Sequence, residues 1–418
     1  MKPLQRFKLF FFIINIVLAG GISHKTLAWS EAGHEQITEF GLMDVAKKFD
    51  LFKPVKVTPL QPFLSKLFAE VAHTPEGPIS KDPAGLWFRE FLKTSPQIPL
   101  DTYSAIEKKG ARTTPFQILI DHSSDPDDGR DQNLSVHKYQ KYFGGTTGPS
   151  SQAFRHMEKP AFNVFNFRST LGLPLRKAGE ASQRALLYFN LARLAKNYHE
   201  DYWMWRFLAC SYHYLEDLAQ PYHTTEISSH GRLWKQARHI QLRWHTGLSL
   251  SDIMSRLVTN SHDWFETYTS TLMEQNRAFY FKNNTVFLNP QTKQLYEALR
   301  GTSVDYTQGN IRDYAVQIRN DSNKKSPDLL EAAFMLGDDR LRGLFVYDQE
   351  AIIKPNPLDF LNPVQDEEFD KYQQKFFQLV KESFALSGES LRTALDELQI
   401  PREPKTNKEL IEEIRQLR

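Results

Sequence analysis

Cysteine is almost missing from this chain: Cys210 is the only one in 418 residues. An internal disulfide is therefore excluded, and a metal site has to be built from imidazole and carboxylate rather than from thiolates. Cys210 lies in an apolar helical stretch one turn before His213, where a packed thiol is expected rather than a reactive one. Charge bias is also small. Lysine and arginine number 52 against 50 aspartates and glutamates, a formal +2. Four of the basic residues (Lys2, Arg6, Lys8 and Lys25) stand in the first 28 residues, which hold no acid. Removing these four leaves 48 basic against 50 acidic residues, close to −2, so the remainder has no overall basic bias for gripping a polyanion. Beyond the first residues there is no apolar run long enough to span a bilayer, no internal repeat and no low-complexity stretch.

The start of the chain is different. Lys2, Arg6 and Lys8 precede an apolar run from Leu9 to Ala19, and small residues lead to Thr26-Leu27-Ala28. This is the pattern of a secretory signal peptide over 1–28, cleaved near Ala28. Processing there would leave Trp29 as the N-terminus, and a free α-amine with its own carbonyl oxygen can chelate a metal. His34 follows five residues later.

Helical periodicity dominates what remains. It is predicted over Glu31–Phe49, Ser182–Tyr198, Asp328–Leu336 (with Ser326-Pro327 as cap and first turn) and Asp366–Leu398. A short charged helix over 401–418 is expected after Pro401 and Pro404. Tyr202–Asp217 is apolar nearly all round, the mark of a helix buried in a bundle. Its polar stripe, Arg206, His213 and Asp217, then needs partners, because burying polar groups alone is costly. Asp121–Asn133, Gly144–Ser151 and Asn283–Gln291 read as loops by composition. No run of alternating strands stands out, so the class is all-α.

The densest chemistry is His213-Tyr-Leu-Glu-Asp217-Leu-Ala-Gln-Pro221-Tyr-His223. His213 and Asp217, four apart, share a helix face; Pro221 stops the helix and turns His223 back. His262 and Glu266, in Asn260-Ser-His-Asp-Trp-Phe-Glu266, repeat the histidine–carboxylate spacing. Glu216 points about 100° away from Asp217 and reads as a solvated or ion-paired residue, with a contact behind the site as the other reading. His230, His239 and His245 have no acid four residues on and read as residues of an insert.

These pieces, in this order, resemble the zinc-dependent phospholipase C/P1 nuclease family. The resemblance rests on the block from His213 to His223, on Trp29 at a mature N-terminus with His34 after it, and on Asn-x-His-x-x-x-Glu at 260–266. The length and the Ser-Ser-Gln-Ala-Phe-Arg-His segment at 150–156 are similar to larger bacterial secreted members. It implies a single helical-bundle domain over 29–400, with insertions at about 50–115, 224–259 and 280–365. It also implies three zinc ions. Trp29 and His34 would hold one; Asp217 would bridge it to a neighbour completed by His213, His156 and an upstream aspartate; His223, His262 and Glu266 would hold the third. The upstream aspartate is Asp127, just after a proline, with Asp125 and Asp131 as alternatives. His122 and His137 compete with His156. Asp127 and Asp217 are the carboxylates expected at the reacting centre.

The implied chemistry is phosphodiester hydrolysis by water activated on zinc. Pro126-Asp127 and His213-Tyr214 are more like the phospholipases C, which release diacylglycerol from phospholipid at a membrane surface. Gly33-His34 is more like the nucleases, which cut single-stranded nucleic acid. A zinc-bearing lipid-binding or host-interaction factor without catalysis is the reading from another class. No obligate protein partner is expected.

Overall fold

In the computed structural model the described residues are Trp29, 31–72, 103, 107–128, 130, 155–159, 178–224, 261–262, 265–266, 268–270, 272–273, 290–300, 311–336, 367–401 and 404–417. They are mostly helical: α1 Glu31–Leu42, α2 Gln61–Ala72, α3 Pro115–Ser123, α4 Ala181–Asn197, α5 Asp201–Ala219, α6 Pro221–Thr224, α7 Pro290–Leu299, α8 Ile311–Leu336, α9 Glu367–Gln399 and α10 Asn407–Gln416. Two antiparallel ribbons, two residues a strand, accompany them. Val55–Lys56 (β1) pairs with Arg112–Thr113 (β2), and Glu158–Lys159 (β3) pairs with Ala178–Gly179 (β4). Among the described residues no helix is long and apolar enough to cross a membrane.

Helix α5 is the axis. Every residue after Asp201 is buried, as its all-round apolar pattern requires, and α3, α4, α8 and α9 pack around it. The α4–α5 turn is made by His199, which takes a left-handed φ of 59° and so reverses the chain after the Tyr198 C-cap. At the other end Gln220, the residue before Pro221, is extended (ψ 119°). That is the conformation a following proline imposes, and α6 starts a new turn in another direction. Helix α9 lies against α1, α7 and α8. It approaches the end of α7 so closely that a Cβ on Gly388 would lie 1.8 Å from the carbonyl oxygen of Leu299; only glycine fits there.

Four expectations need correction. Periodicity carries α1 to Phe49, but the helix stops at Leu42, and tight turns follow to Asp50, whose φ is 54°. Asp121–Ser123 belong to α3 rather than to a loop; Thr114 caps that helix by accepting from the Gln117 amide at 3.2 Å, with Pro115 in the first turn. Pro327 does not begin a helix but sits inside α8. A proline there deprives the carbonyl four residues back, Asn323, of its donor. The Ser326 hydroxyl donates to that carbonyl at 2.7 Å instead, so the helix runs through. The Asn283–Gln291 loop also ends short of its expected bound, because Pro290 and Gln291 open α7; the rest of that stretch, Gly144–Ser151 and the first 28 residues lie outside the described residues.

Glu389 on α9 is nearly buried, and burial pushes its carboxyl up from 4.5 to about 8, against the opposing pull of Arg392. The folded protein thus holds a proton that the unfolded chain releases, so stability falls as pH rises from about 4.5 towards 8 and is level above. Glu389→Gln removes this penalty. Its Tm is expected to match the wild type at pH 4.5 and to exceed it at pH 9; an equal offset at both pH values in thermal unfolding would rule out the titration.

Candidate metal centre

Helix α5 presents His213 and Asp217 on one face. Around them gather His34 from α1, Asp127 from the turn after α3, His156 just ahead of β3, His223 on α6, and His262 with Glu266 from the helical residues 261–262 and 265–266. All eight are buried. Their donor atoms form three groups, each within 4.8 Å: His34, His213 and Asp217; Asp127, His156 and His213; His223, His262 and Glu266. His34 Nε2 lies 3.7 Å from both Asp127 Oδ2 and Asp217 Oδ1. His156 Nδ1 is 3.0 Å from Asp217 Oδ2 and 2.7 Å from His213 Nε2. In the third group His262 Nε2 is 2.6 Å from Glu266 Oε1 and 3.1 Å from His223 Nε2.

The supporting contacts fix how the imidazoles present their nitrogens. A carbonyl oxygen only accepts, so His213 donates from Nδ1 to Ser123 at 2.8 Å and His223 donates from Nδ1 to His156 at 2.7 Å. In each neutral ring the Nε2 lone pair is then turned to the centre. Burial, then the repulsion that His213 and His223 would exert once protonated, holds the pKa of His34 well below 6.5. Burial also leads for His156, followed by His213, Arg155, His223 and Arg184. Both rings are neutral at neutral pH, the form that carries a lone pair.

His156 is braced from behind. The next strand carries Glu158, which accepts from the Ser182 amide at 2.8 Å and pairs with Arg319 of α8. Just after β4, the Glu180 N–H donates to the Met157 carbonyl at 3.0 Å and ties the ribbon to the residue after His156. The Asp127 turn is braced too. Asp127 N–H donates to Ser124 at 3.0 Å, and Asp125 faces the other way, into Arg206, Arg130 and His122.

A divalent cation fits this arrangement. The Nε2 atoms of His34 and His156 are buried with no hydrogen-bond partner, a cost of about 1–3 kcal/mol for each such group; beside the carboxylates of Asp127 and Asp217 stand Nε2 of His34 and Nδ1 of His156. Imidazole nitrogen and carboxylate oxygen at this density are the donor set for a divalent cation.

Of the sequence alternatives, Asp125 and His122 are turned away: His122 is held between Asp125 and Glu107, with Nε2 2.9 Å from the glutamate. Asp131, His137, His230, His239 and His245 lie outside the described residues. Trp29 is buried against Phe265 and Phe384, its indole N–H donating to the Glu216 carbonyl at 2.9 Å; this seats residue 29 one position from Asp217. Cys210 is buried, as expected for a packed thiol. Glu216 is not the solvated residue of the first reading; its contact with His34 is the contact behind the site of the other reading. It is fully buried, its carboxylate 2.5 Å from His34 Nδ1 and 2.9 Å from the Thr38 hydroxyl. Burial raises its carboxyl, against Thr38, and Asp127 adds to the rise. One contributor is not singled out by the sequence. Gln220 contacts His262 Nε2 and Glu266 Oε1, each at 3.1 Å; its place between Asp217 and Pro221 was the available signal. Arg206, on the polar stripe, is answered by Asp125.

Compared with protein-family models, with curated proteins and with solved structures, the chain matches none.

Proposed function

We propose that the mature protein is a secreted, zinc-dependent phosphodiesterase of the phospholipase C/P1 nuclease type, a single helical-bundle domain with insertions. Its reaction is cleavage of the glycerol–phosphate ester of glycerophospholipids such as phosphatidylcholine, giving diacylglycerol and a phosphorylated head group. One observation carries the reading. Eight imidazole and carboxylate side chains from separate segments converge on one buried place, in the chain order that the resemblance implies.

Three zinc ions are proposed. Trp29, with the amine freed by leader cleavage, and His34 serve one together with Asp217. Asp217, Asp127, His156 and His213 serve its neighbour, and His223, His262 and Glu266 serve the third. Bound zinc would supply Lewis acidity, lowering the pKa of water towards neutrality and neutralising phosphate oxygens. The chain's part is to hold neutral imidazoles by carbonyl contacts, to bring Asp127 and Asp217 to the same centre, and to bury the set so that its electrostatics are weakly screened. A mature charge near −2 favours a phospholipid at a membrane surface over a polyanion, whereas Gly33-His34 favours the single-strand nuclease.

The test is the protein purified from Trp29 onwards, offered phosphatidylcholine micelles and single-stranded DNA with and without chelator. Lipid cleavage that chelator abolishes and zinc restores is expected, with DNA left intact. DNA cleavage alone would establish the nuclease instead. Zinc uptake with neither activity would establish the non-catalytic factor.

A further inference from the structure

Glu216 stands one residue from Asp217 on α5, and three bonds to it gather the N-terminal segment. Its backbone carbonyl takes the Trp29 indole N–H at 2.9 Å, Oε1 takes the Thr38 hydroxyl at 2.9 Å, and Oε2 meets His34 Nδ1 at 2.5 Å. With Oε1 occupied by Thr38, Oε2 is committed to the imidazole. The opposite nitrogen of that ring, Nε2, has no hydrogen-bond partner and faces Asp127 and Asp217 at 3.7 Å. The ring is also fixed in its plane, stacked on His213 with centroids 4.0 Å apart.

We propose that Glu216 is a positioning residue: it holds His34 with the proton on Nδ1 and the lone pair of Nε2 aimed between Asp127 and Asp217, and it seats Trp29 beside them. The inference rests on the reading of this cluster as a metal centre. A carboxylate behind a ligating imidazole fixes its tautomer and orientation and raises its basicity, and losing one weakens metal affinity by about 10–100-fold. Nothing in the ligand set itself requires a glutamate here. The Glu216 side chain points about 100° from Asp217 on the helix and its carboxylate meets His34 and Thr38, so it acts on the centre through His34.

Cobalt(II) titration of metal-stripped protein, followed by its visible absorption, tests this without recourse to activity. Wild type is expected to take up its full complement. Glu216→Leu is expected to lose one equivalent or bind it about 10–100-fold more weakly, the others keeping wild-type affinity and spectra. Glu216→Gln, whose amide oxygen can still accept from Nδ1, is expected to restore most of the affinity. A folded Glu216→Leu protein with the wild-type complement and spectrum would overturn the proposal and leave the metal centre standing. Wild type that takes up no cobalt would overturn the metal centre, and the proposal with it. Should the leucine variant not fold, nitrogen NMR of the zinc-loaded wild type decides: a proton on Nδ1 of His34 is expected, and one on Nε2 overturns the proposal.

Discussion

Asp217→Asn protein is expected to fold, to retain fewer metal ions than wild type and to lose phosphodiester hydrolysis by more than about 10³-fold, beyond the loss typical of one transition-state hydrogen bond. Asp217 stands where the groups meet. One of its oxygens is 3.0 Å from His156 Nδ1 and 3.3 Å from His213 Nε2. The other is 3.7 Å from His34 Nε2 and 3.6 Å from His223 Nδ1. Asparagine keeps the volume, so packing on α5 survives, but it removes a negative charge and puts an N–H donor where a second acceptor stood. In the proposed arrangement Asp217 serves two cations at once, so the damage exceeds that of losing a terminal ligand such as Glu266. Metal analysis of the purified variant, beside its unfolding curve and its activity on phosphatidylcholine, checks each part. Wild-type metal content and hydrolysis in a folded variant would remove Asp217 from the role.

Some of these side chains are legible in the sequence alone and others are not. The i, i+4 pairs and the break at Pro221 follow from helix geometry, so the positions of His213, Asp217, His223, His262 and Glu266 were legible. The long apolar stretch of α5 announced its own burial, and its polar stripe announced that partners had to exist. Their identity was another matter. Asp125, Asp127 and Asp128 lie in one turn and are alike in composition; they are separated by what stands opposite, Arg206 and Arg130 for Asp125 and the imidazoles for Asp127. The place of Glu216 is hidden in the sequence for a related reason. Helical periodicity gives the direction of a side chain but not what covers that direction, and here α1 does. Two-residue strands such as β3 and β4 carry no period at all. Pro327 shows the same limit from the other side: a breaker is read locally, whereas its rescue comes from the neighbouring Ser326 hydroxyl.

The buried charges behind Asp127 give the other large effect. Arg206→Met is expected to lower stability by about 3–5 kcal/mol, the cost of breaking a buried pair and leaving one charge behind. Arg206 and Asp125 are both almost fully buried, and a guanidinium nitrogen lies 2.8 Å from Asp125 Oδ2. Burial would push the Asp125 carboxyl up, but His122, Arg206 and Arg130 together outweigh it and hold the group well below the usual carboxylate range. Burial likewise works against Arg206, and Asp125, with Tyr202 and Cys210, outweighs it; the guanidinium also lies over the Trp203 ring, 4.9 Å from its centroid. Both groups therefore stay charged, and without Arg206 the buried Asp125 carboxylate keeps only Arg130 and His122. A lone surface pair would contribute about 0–1 kcal/mol, so urea unfolding separates the two cases cleanly. Adding Asp125→Asn to Arg206→Met should cost less than the two single changes summed, because the second substitution removes the charge that the first one strands. The effect also reaches the centre: Asp127 is two residues beyond Asp125 in the same turn, so the Arg206→Met protein should hold metal less tightly although no candidate ligand has been touched. A stability loss below about 1 kcal/mol, with unaltered metal retention, would mean that the Asp127 turn is held by its backbone bonds and does not need the guanidinium.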